Sequence, residues 1–388
     1  MAKGNAAAAA VAAIASRSPW SILWTGPGIM TASMMIAWAA ECSQFFVAQG
    51  LALAILAWLQ TLPEFAVEAV LAYHQQSQYL LANLTGALRL LTGLGWPMIY
   101  FGAAFAHRAK YRKPMGKIVL PEKQGIQVIG LGACLVYVIV VAIKASLTVI
   151  DAAILIAIYV GYLWVLRHGP PEDHEGIEDL GRIPKAIVTA PRRIRIGAIT
   201  FLFVAGGTLI YFLAAPFLGS LFGLSAVLGV SSFVFIQWVA PFLSEFPEFF
   251  SSFYWSTTID KAPMALMNMV SSNINQWTLL SAMLPIVLSI GHGSVVPLVF
   301  DSEQRLEYIM TFAQALLGMM FLMNMEFVWW EAAGLFVLWL VQFIFSVGDL
   351  GTETHWVITF IYFAWAALEM IKARKLTAWH SFLALIRR

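Results

Sequence analysis

"FLSEFPEFF" runs from Phe242 to Phe250 and sets two glutamates and a proline inside one of the most apolar stretches of the chain. The chain does this twice: "WLQTLPEFAVE" at Trp58–Glu68 carries the same Pro-Glu-Phe core. The surrounding composition fixes the class of protein. Of 388 residues, 60% are hydrophobic and 11% charged, whereas a soluble domain has about 45–50% apolar and about 25% charged residues. The chain therefore reads as an all-α integral membrane protein, with the lipid bilayer as its first partner. A formal net charge of +2 argues against nucleic acid as a second.

Counting apolar runs of about 20 residues, the length that crosses a bilayer core as helix, predicts about 11 spans. They lie near 21–42, 47–73, 79–105, 126–143, 146–166, 198–218, 226–255, 263–290, 305–323, 327–348 and 354–371. The loop "HRAKYRKPMGKIVLPEK" carries Arg108, Lys110, Arg112, Lys113, Lys117 and Lys123, and the next hydrophilic stretch carries Arg182, Lys185, Arg192, Arg193 and Arg195. Two spans separate these loops, so they share a side with the tail "KARKLTAWHSFLALIRR". The positive-inside rule makes that side cytoplasmic. The expectation is a multi-pass protein of the plasma (inner) membrane, N-terminus outside and C-terminus in the cytoplasm.

The two Pro-Glu segments belong to a larger self-similarity. Pro63-Glu64-Phe65 matches Pro247-Glu248-Phe249 at an offset of 184, and Asn83 matches Asn268 at an offset of 185. Asp151-Ala152-Ala153 matches Glu331-Ala332-Ala333 at an offset of 180. Each half then holds five spans, and an odd number makes the second half enter the membrane from the opposite side, as in many secondary transporters. The predicted organisation is an Ala-rich tail over 1–20, a first inverted repeat over 21–167, a cytoplasmic linker over 168–197, a second inverted repeat over 198–348, and an extra C-terminal helix and tail over 349–388.

A carboxylate at the bilayer centre costs at least about 2.5–3.5 kcal/mol, so it must face a cavity, a partner or an ion. Proline lacks the N–H that would bond four residues back, which leaves the carbonyls of Leu59 and Leu243 free. Each motif thus supplies a carboxylate and a bare carbonyl oxygen at one point. These are hard oxygen ligands, suited to Ca²⁺ or Na⁺. Kinked helices with structural glutamates are the plainer alternative, and the matched repetition argues against it. Asn83, Asn268 and Ser272 add polar groups to the following apolar spans, and Asn268 and Ser272, four apart, share a helix face. Asn273 is a weaker candidate of the same kind. Thr85 and Gly86 form a small, close-packing patch.

These residues resemble the cation/Ca²⁺ exchanger superfamily, which includes Na⁺/Ca²⁺ and H⁺/Ca²⁺ antiporters. The family carries two inverted five-helix repeats, each with a motif that reads roughly Gly-Thr-Ser-Leu-Pro-Glu, then Gly-Asn-x-x-Gly-Ser-Asn on the next helix. Here the first parts are "LQTLPEF" and "LSEFPEF" and the second parts "ANLTGAL" and "MNMVSSN". The resemblance covers about residues 21–348. It implies that Glu64 and Glu248 hold the divalent metal ion, that Thr61 and Ser244 lie in the hydroxyl segment beside them, and that Asn83, Asn268 and Ser272 complete the site. Ala87 and Leu88 stand where the family has Ser and Asn, and Glu245 replaces its second hydroxyl residue. Glu68 adds an acid four residues after Glu64, on the same helical face. Oxygen ligands of the Na⁺-binding kind are thus lost and carboxylates gained, and crowded carboxylates invite protons.

The resulting expectation is a secondary antiporter that exchanges Ca²⁺, or another divalent cation, for Na⁺ by alternating access, with H⁺ as the alternative counter-ion. A cation channel or a non-transporting ion-binding protein is the alternative of another class. Enzymatic activity is not expected. No P-loop, nucleophile–His pair or H-E-x-x-H sequence is present, the seven His show no ligand spacing, and no cofactor is called for. Cys42 and Cys134 form neither a disulfide framework nor a zinc spacing. Arg89, mid-span, should pair with an acid; Glu68, Glu41 and Asp151 are the candidates. Glu41, Asp151 and Glu331 are expected to serve interhelical bonding or to sit near an interface.

Overall fold

The computed structural model describes residues 18–46, 58–168, 176–177, 180–258, 260–347, 351–372 and 376–386. Most of the Ala-rich tail, the start of the expected second span and part of the linker lie outside the described residues. The first half contains α1 (Ile22–Ser43), α2 (Leu62–Tyr73), α3 (Ser77–Leu90), α4 (Trp96–Tyr111), α5 (Gly125–Lys144) and α6 (Val149–His168). A short amphipathic α7 (Arg182–Thr189) leads into the second half. That half has α8 (Arg192–Leu228), α9 (Ala240–Ser244), α10 (Phe246–Thr257), α11 (Ala262–Asn275), α12 (Ser281–His292), α13 (Ser302–Leu322) and α14 (Trp329–Val347). Two further helices, α15 (Gly351–Lys372) and α16 (Thr377–Ile386), follow.

Among the described residues seven helices are long and apolar enough to cross a membrane. The others that the sequence marks as spans are broken or carry charge. Pro63 and Pro247 each fall in the first turn of a new helix, where a missing N–H costs nothing. The preceding helical turn ends at Thr61 in one case and at Glu245 in the other. The Phe65 amide closes back on the Thr61 carbonyl at 3.1 Å, and the Phe249 amide on the Glu245 carbonyl at 3.2 Å. Further on, α3 and α4 are joined by a π turn at Leu91–Gly95, and α11 and α12 by one at Gln276–Leu280. These two π turns repeat at an offset of 185, the same as Asn83 and Asn268. Single π turns widen a helix and are frequent at functional sites.

Two small antiparallel ladders tie the halves together. Strand β1 (Lys117–Val119) pairs with β4 (Glu326–Val328), and β2 (Ser146–Leu147) pairs with β3 (Leu298–Val299). β1 precedes α5 and β2 follows it; in the second half β3 precedes α13 and β4 follows it. Each ladder therefore joins the connector before the fourth long helix of one half to the connector after the fourth long helix of the other. Other contacts sort the same way. At the end of the molecule marked by β2 and β3, Gln75 Nε2 donates to the Leu288 carbonyl at 2.8 Å and Arg305 Nε to the Ala142 carbonyl at 3.0 Å. At the end marked by β1 and β4, the Ala378 amide donates to the Met323 carbonyl at 3.0 Å, and Lys117 pairs with Glu326 at 2.6 Å. Cys42 Sγ, at the end of α1, lies 3.7 Å from the Pro184 carbonyl in α7. Both Arg/Lys-rich loops lie at this second end.

The distribution of polarity is inverted relative to a soluble protein. Phe105, Tyr211, Phe212 and Phe360 are well exposed, whereas Glu64, Glu68, Asn83, Arg89 and Glu248 are fully buried. An apolar exterior around a charged interior suits lipid as the surrounding solvent. Cys42 and Cys134 are buried free thiols. Asp151 and Glu331, at matched positions, cap the starts of their helices: Asp151 accepts from the Thr148 amide at 2.6 Å and Glu331 from the Val328 amide at 2.9 Å. Asp151 also bonds across to Tyr137 and Lys144 of α5.

The partner expected for Arg89 is corrected. Its guanidinium pairs at 2.5 Å with Glu307 of α13, not with Glu68, Glu41 or Asp151. The first turn and a half of α13 brings Glu307 level with Arg89, whereas Glu68 is held by Asn83 and Asp151 by Lys144. Arg89 also donates to the Thr85 carbonyl at 3.1 Å and lies 4.9 Å from the centre of the Trp238 ring. Glu307 in turn accepts from Gln237 at 3.1 Å and contacts His355 of α15 at 3.1 Å.

Candidate ion-binding site

The two helix breaks and the matched π turns at Leu91–Gly95 and Gln276–Leu280 place a polar group of residues at the junction of the halves. Glu64 sits in the first turn of α2 and Glu248 in the first turn of α10, where the unpaired amides of a helix start favour negative charge. Glu245 occupies the break itself, and Glu68 lies one turn into α2. All four carboxylates are exposed by 1% or less. Glu245, Glu68 and Glu248 lie within electrostatic reach of Glu64.

Their partners come from the facing helices. Gln276, first residue of the π turn between α11 and α12, donates through Nε2 to Glu64 at 2.8 Å and to Glu245 at 2.5 Å. Ser272, one turn before it, donates to Glu248 at 3.0 Å. Asn83 donates to Glu68 at 3.2 Å. Asn268 donates to Gln60 at 3.3 Å and to Ser252 at 3.5 Å, and Asn275 donates to Thr61 at 2.5 Å. Thr92 donates to Asn273 at 3.3 Å. Four of these bonds cross from one half to the other: Gln276 to Glu64, Asn268 to Gln60, Asn275 to Thr61 and Thr92 to Asn273.

The structure thus brings Glu64, Glu245, Glu248, Glu68, Asn83, Asn268, Ser272 and Thr61 into one buried network. Ser244 is buried beside them but turns its hydroxyl to the Ala240 carbonyl of its own helix at 3.0 Å. Leu59 and Leu243 keep carbonyls that Pro63 and Pro247, lacking N–H, cannot engage. Among the described residues no three His, Cys, Asp or Glu side chains converge as a metal-binding group; the Gln276 amide bridges Glu64 and Glu245.

Among the described residues the network has no positive charge. The ion pairs of the described residues leave all four carboxylates without a cationic partner, since Arg89 is committed to Glu307. Glu64 Oε1, Glu68 Oε2, Glu245 Oε2, Glu248 Oε2, Asn83 Oδ1, Asn268 Oδ1, Asn275 Oδ1 and Gln276 Oε1 are buried with no hydrogen-bond partner. Buried polar atoms are nearly always satisfied. These unsatisfied oxygens outnumber the one unpartnered amide donor beside them, Asn273 Nδ2, and such an excess of acceptors has the chemistry of a site for hard cations or protons.

Ser251, Asn275 and Gln276 were not legible from the repeat, and Gln60 and Ser252, which fall on Ser244 and Glu68 at the offset of 184, were passed over. At the repeat's offset Gln276 falls on Leu91 and Asn275 on Leu90, so neither has a polar counterpart. The available signal was helical spacing: Asn268, Ser272 and Gln276 follow one another at four-residue steps along one face.

Comparison with known proteins places this arrangement. The model of the family described as "Sodium/calcium exchanger protein" matches residues 18–167 and again 198–348. No curated protein sequence matches the chain. Among solved structures, the H⁺/Ca²⁺ exchanger CAX is 26% identical with a TM-score of 0.87, covering 97% of this chain and 97% of that one. The native structure of YfkE is 14% identical with a TM-score of 0.59, over 88% of this chain and 99% of that one. The sodium-calcium exchanger NCX_Mj is 16% identical with a TM-score of 0.54, over 82% and 94%; these last two likenesses concern the fold alone. With both halves matched by one family model, and with paired Pro-Glu breaks meeting at a buried cluster of acids, the chain belongs to the sodium/calcium exchanger family of membrane ion exchangers.

Proposed function

We propose that this protein is a secondary antiporter that exchanges Ca²⁺ for H⁺ by alternating access between its two halves. The observation that carries the reading is the set of four buried carboxylates with no cationic partner among the described residues, each with one oxygen that accepts no hydrogen bond there. Such a cluster cannot remain bare at mid-membrane. It is neutralised either by a divalent cation or by protons, and that alternative is the coupling: an unneutralised site does not cross.

Glu64 and Glu248 are the central metal ligands, with Glu245 and Glu68 beside them. Thr61, Ser244, Ser272, Asn83, Asn268 and the carbonyls of Leu59 and Leu243 supply the further oxygens. Protons are favoured over Na⁺ as counter-ion because Na⁺ requires additional oxygen ligands. Ala87 and Leu88 offer none in the first half, and Gln276 turns a donor, not an acceptor, toward Glu64 and Glu245. Protons need only the carboxylates. The likeness to CAX over nearly the whole chain supports the same choice.

The chain is read as eleven spans with the halves inverted, a reading supported by the exchanged strand ladders, in which the connector before the fourth helix of one half pairs with the connector after the fourth helix of the other. The repeats then occupy 21–167 and 198–348, flanked by the tail over 1–20, the linker over 168–197 and the addition over 349–388. The Arg/Lys-rich end faces the cytoplasm, with the N-terminus outside and the C-terminus inside the plasma (inner) membrane.

The test is uptake of radioactive Ca²⁺ into proteoliposomes under an imposed pH gradient and, side by side, an imposed Na⁺ gradient. Uptake that follows the pH gradient and stops when it is collapsed is expected. Uptake driven by Na⁺ alone would reassign the counter-ion. Flux that needs neither gradient would make the protein a channel.

A further inference from the structure

The halves differ around the central acids. In the first half, Glu68 stands one turn beyond Glu64 and accepts from Asn83. The offset that carries Glu64 onto Glu248 carries Glu68 onto Ser252, and Asn268 donates to Ser252 as Asn83 does to Glu68. The second half therefore lacks a flanking acid on its own helix. A carboxylate nevertheless arrives at that level from elsewhere. Ser251, beside Ser252, donates to Glu41 Oε1 of α1 at 3.1 Å. Gln60 donates to Ser251 at 3.5 Å and accepts from Asn268 at 3.3 Å. A continuous polar run thus joins the site to Glu41.

The two flanking acids lie toward opposite faces. From Glu64, α2 runs to Tyr73, whose carbonyl packs against Gly291 at the end marked by β2 and β3. From Glu248, α10 runs the other way, and Glu41 adjoins Cys42, which contacts Pro184 at the Arg/Lys-rich end. Glu41 is 9% exposed, whereas Glu248 is 0% exposed. The outermost acid of the run is thus the one that touches the surroundings.

We propose that Glu41 is the carboxylate through which cations reach the central acids from the Arg/Lys-rich face, with Glu68 as its counterpart for the opposite face. This rests on the antiport reading. An acid one turn from the site lets an ion pass between oxygen sets without crossing bare hydrocarbon. Its negative charge raises the local cation concentration at one mouth only.

The experiment measures initial Ca²⁺ exchange rates in inside-out and right-side-out vesicles, varying Ca²⁺ on the exposed face. Glu41→Gln is expected to raise the half-saturating Ca²⁺ at the Arg/Lys-rich face about tenfold and to leave the other face within about twofold. Glu41→Asp, which keeps the charge, should restore most of the loss, and Ser251→Ala should give a smaller shift with the same sidedness. A purely structural role would depress both faces alike. Equal shifts at both faces, or none at either, would overturn the assignment while the wild-type protein still exchanges. Absence of exchange in the wild type would overturn the antiport reading and this inference with it.

Discussion

Glu64 and Glu245, one from each half of the chain, accept hydrogen bonds from the same amide nitrogen of Gln276, at 2.8 and 2.5 Å. Gln276 begins the π turn between α11 and α12, so the widened helix delivers the donor that both acids share. Gln276→Leu removes that donor and leaves two buried carboxylates facing each other. Loss of a donor to a buried charged group costs about 1–3 kcal/mol or more. Exchange should fall at least about tenfold, equivalent to about 1.4 kcal/mol, with a lower melting temperature in detergent. Unchanged transport would mean that the bridge is incidental.

Glu64→Gln and Glu248→Gln each keep the shape of the side chain and remove its charge. Either substitution should abolish Ca²⁺ exchange in proteoliposomes while leaving the protein folded, as judged by size-exclusion profile. Retained exchange in either variant would refute the assignment of the central acids.

Arg89 and Glu307 form a buried pair that is separate from the ion site. Arg89→Met leaves the buried Glu307 with only Gln237 and His355 as polar partners, and removing one member of such a pair costs about 3–5 kcal/mol. Adding Glu307→Met removes the stranded charge and should recover most of that loss. A double-mutant cycle on thermal stability measures this directly, and additive effects would show that the two residues do not interact energetically.

Gly86 lets α3 approach the second half closely. A Cβ at this position would fall 1.8 Å from the Gln237 carbonyl oxygen. Gly86→Ala must therefore push the helices apart, at about 1–3 kcal/mol or more for overpacking. The expected result is a marked drop in folded yield. Gly161→Ala, where a Cβ meets nothing within 4 Å, should by contrast be neutral.

Much of this was legible in the residues. The paired Pro-Glu segments located both helix breaks, because proline cannot donate and a carboxylate cannot sit in hydrocarbon without a reason. The Arg/Lys-rich loops lie at one end. Asn83 and Ser272 were found because they occupy repeated or helically spaced positions, and both donate to acids. Arg89 was recognised as needing an acid, yet its true partner Glu307 lies in α13 and carries no mark in sequence that singles it out. Gln276 was missed for a related reason: it has no polar counterpart in the other half.

The sequence by itself determined the membrane class, the two-fold repetition and the position of the acids, because these follow from local composition and from backbone chemistry that proline enforces. Only the tertiary structure decided which groups meet. Gln276 reaching both Glu64 and Glu245, Arg89 finding Glu307, and Glu41 joining Ser251 all depend on how helices remote in sequence cross. Such contacts are set by packing between helix faces, and one chain read alone carries no record of which faces touch.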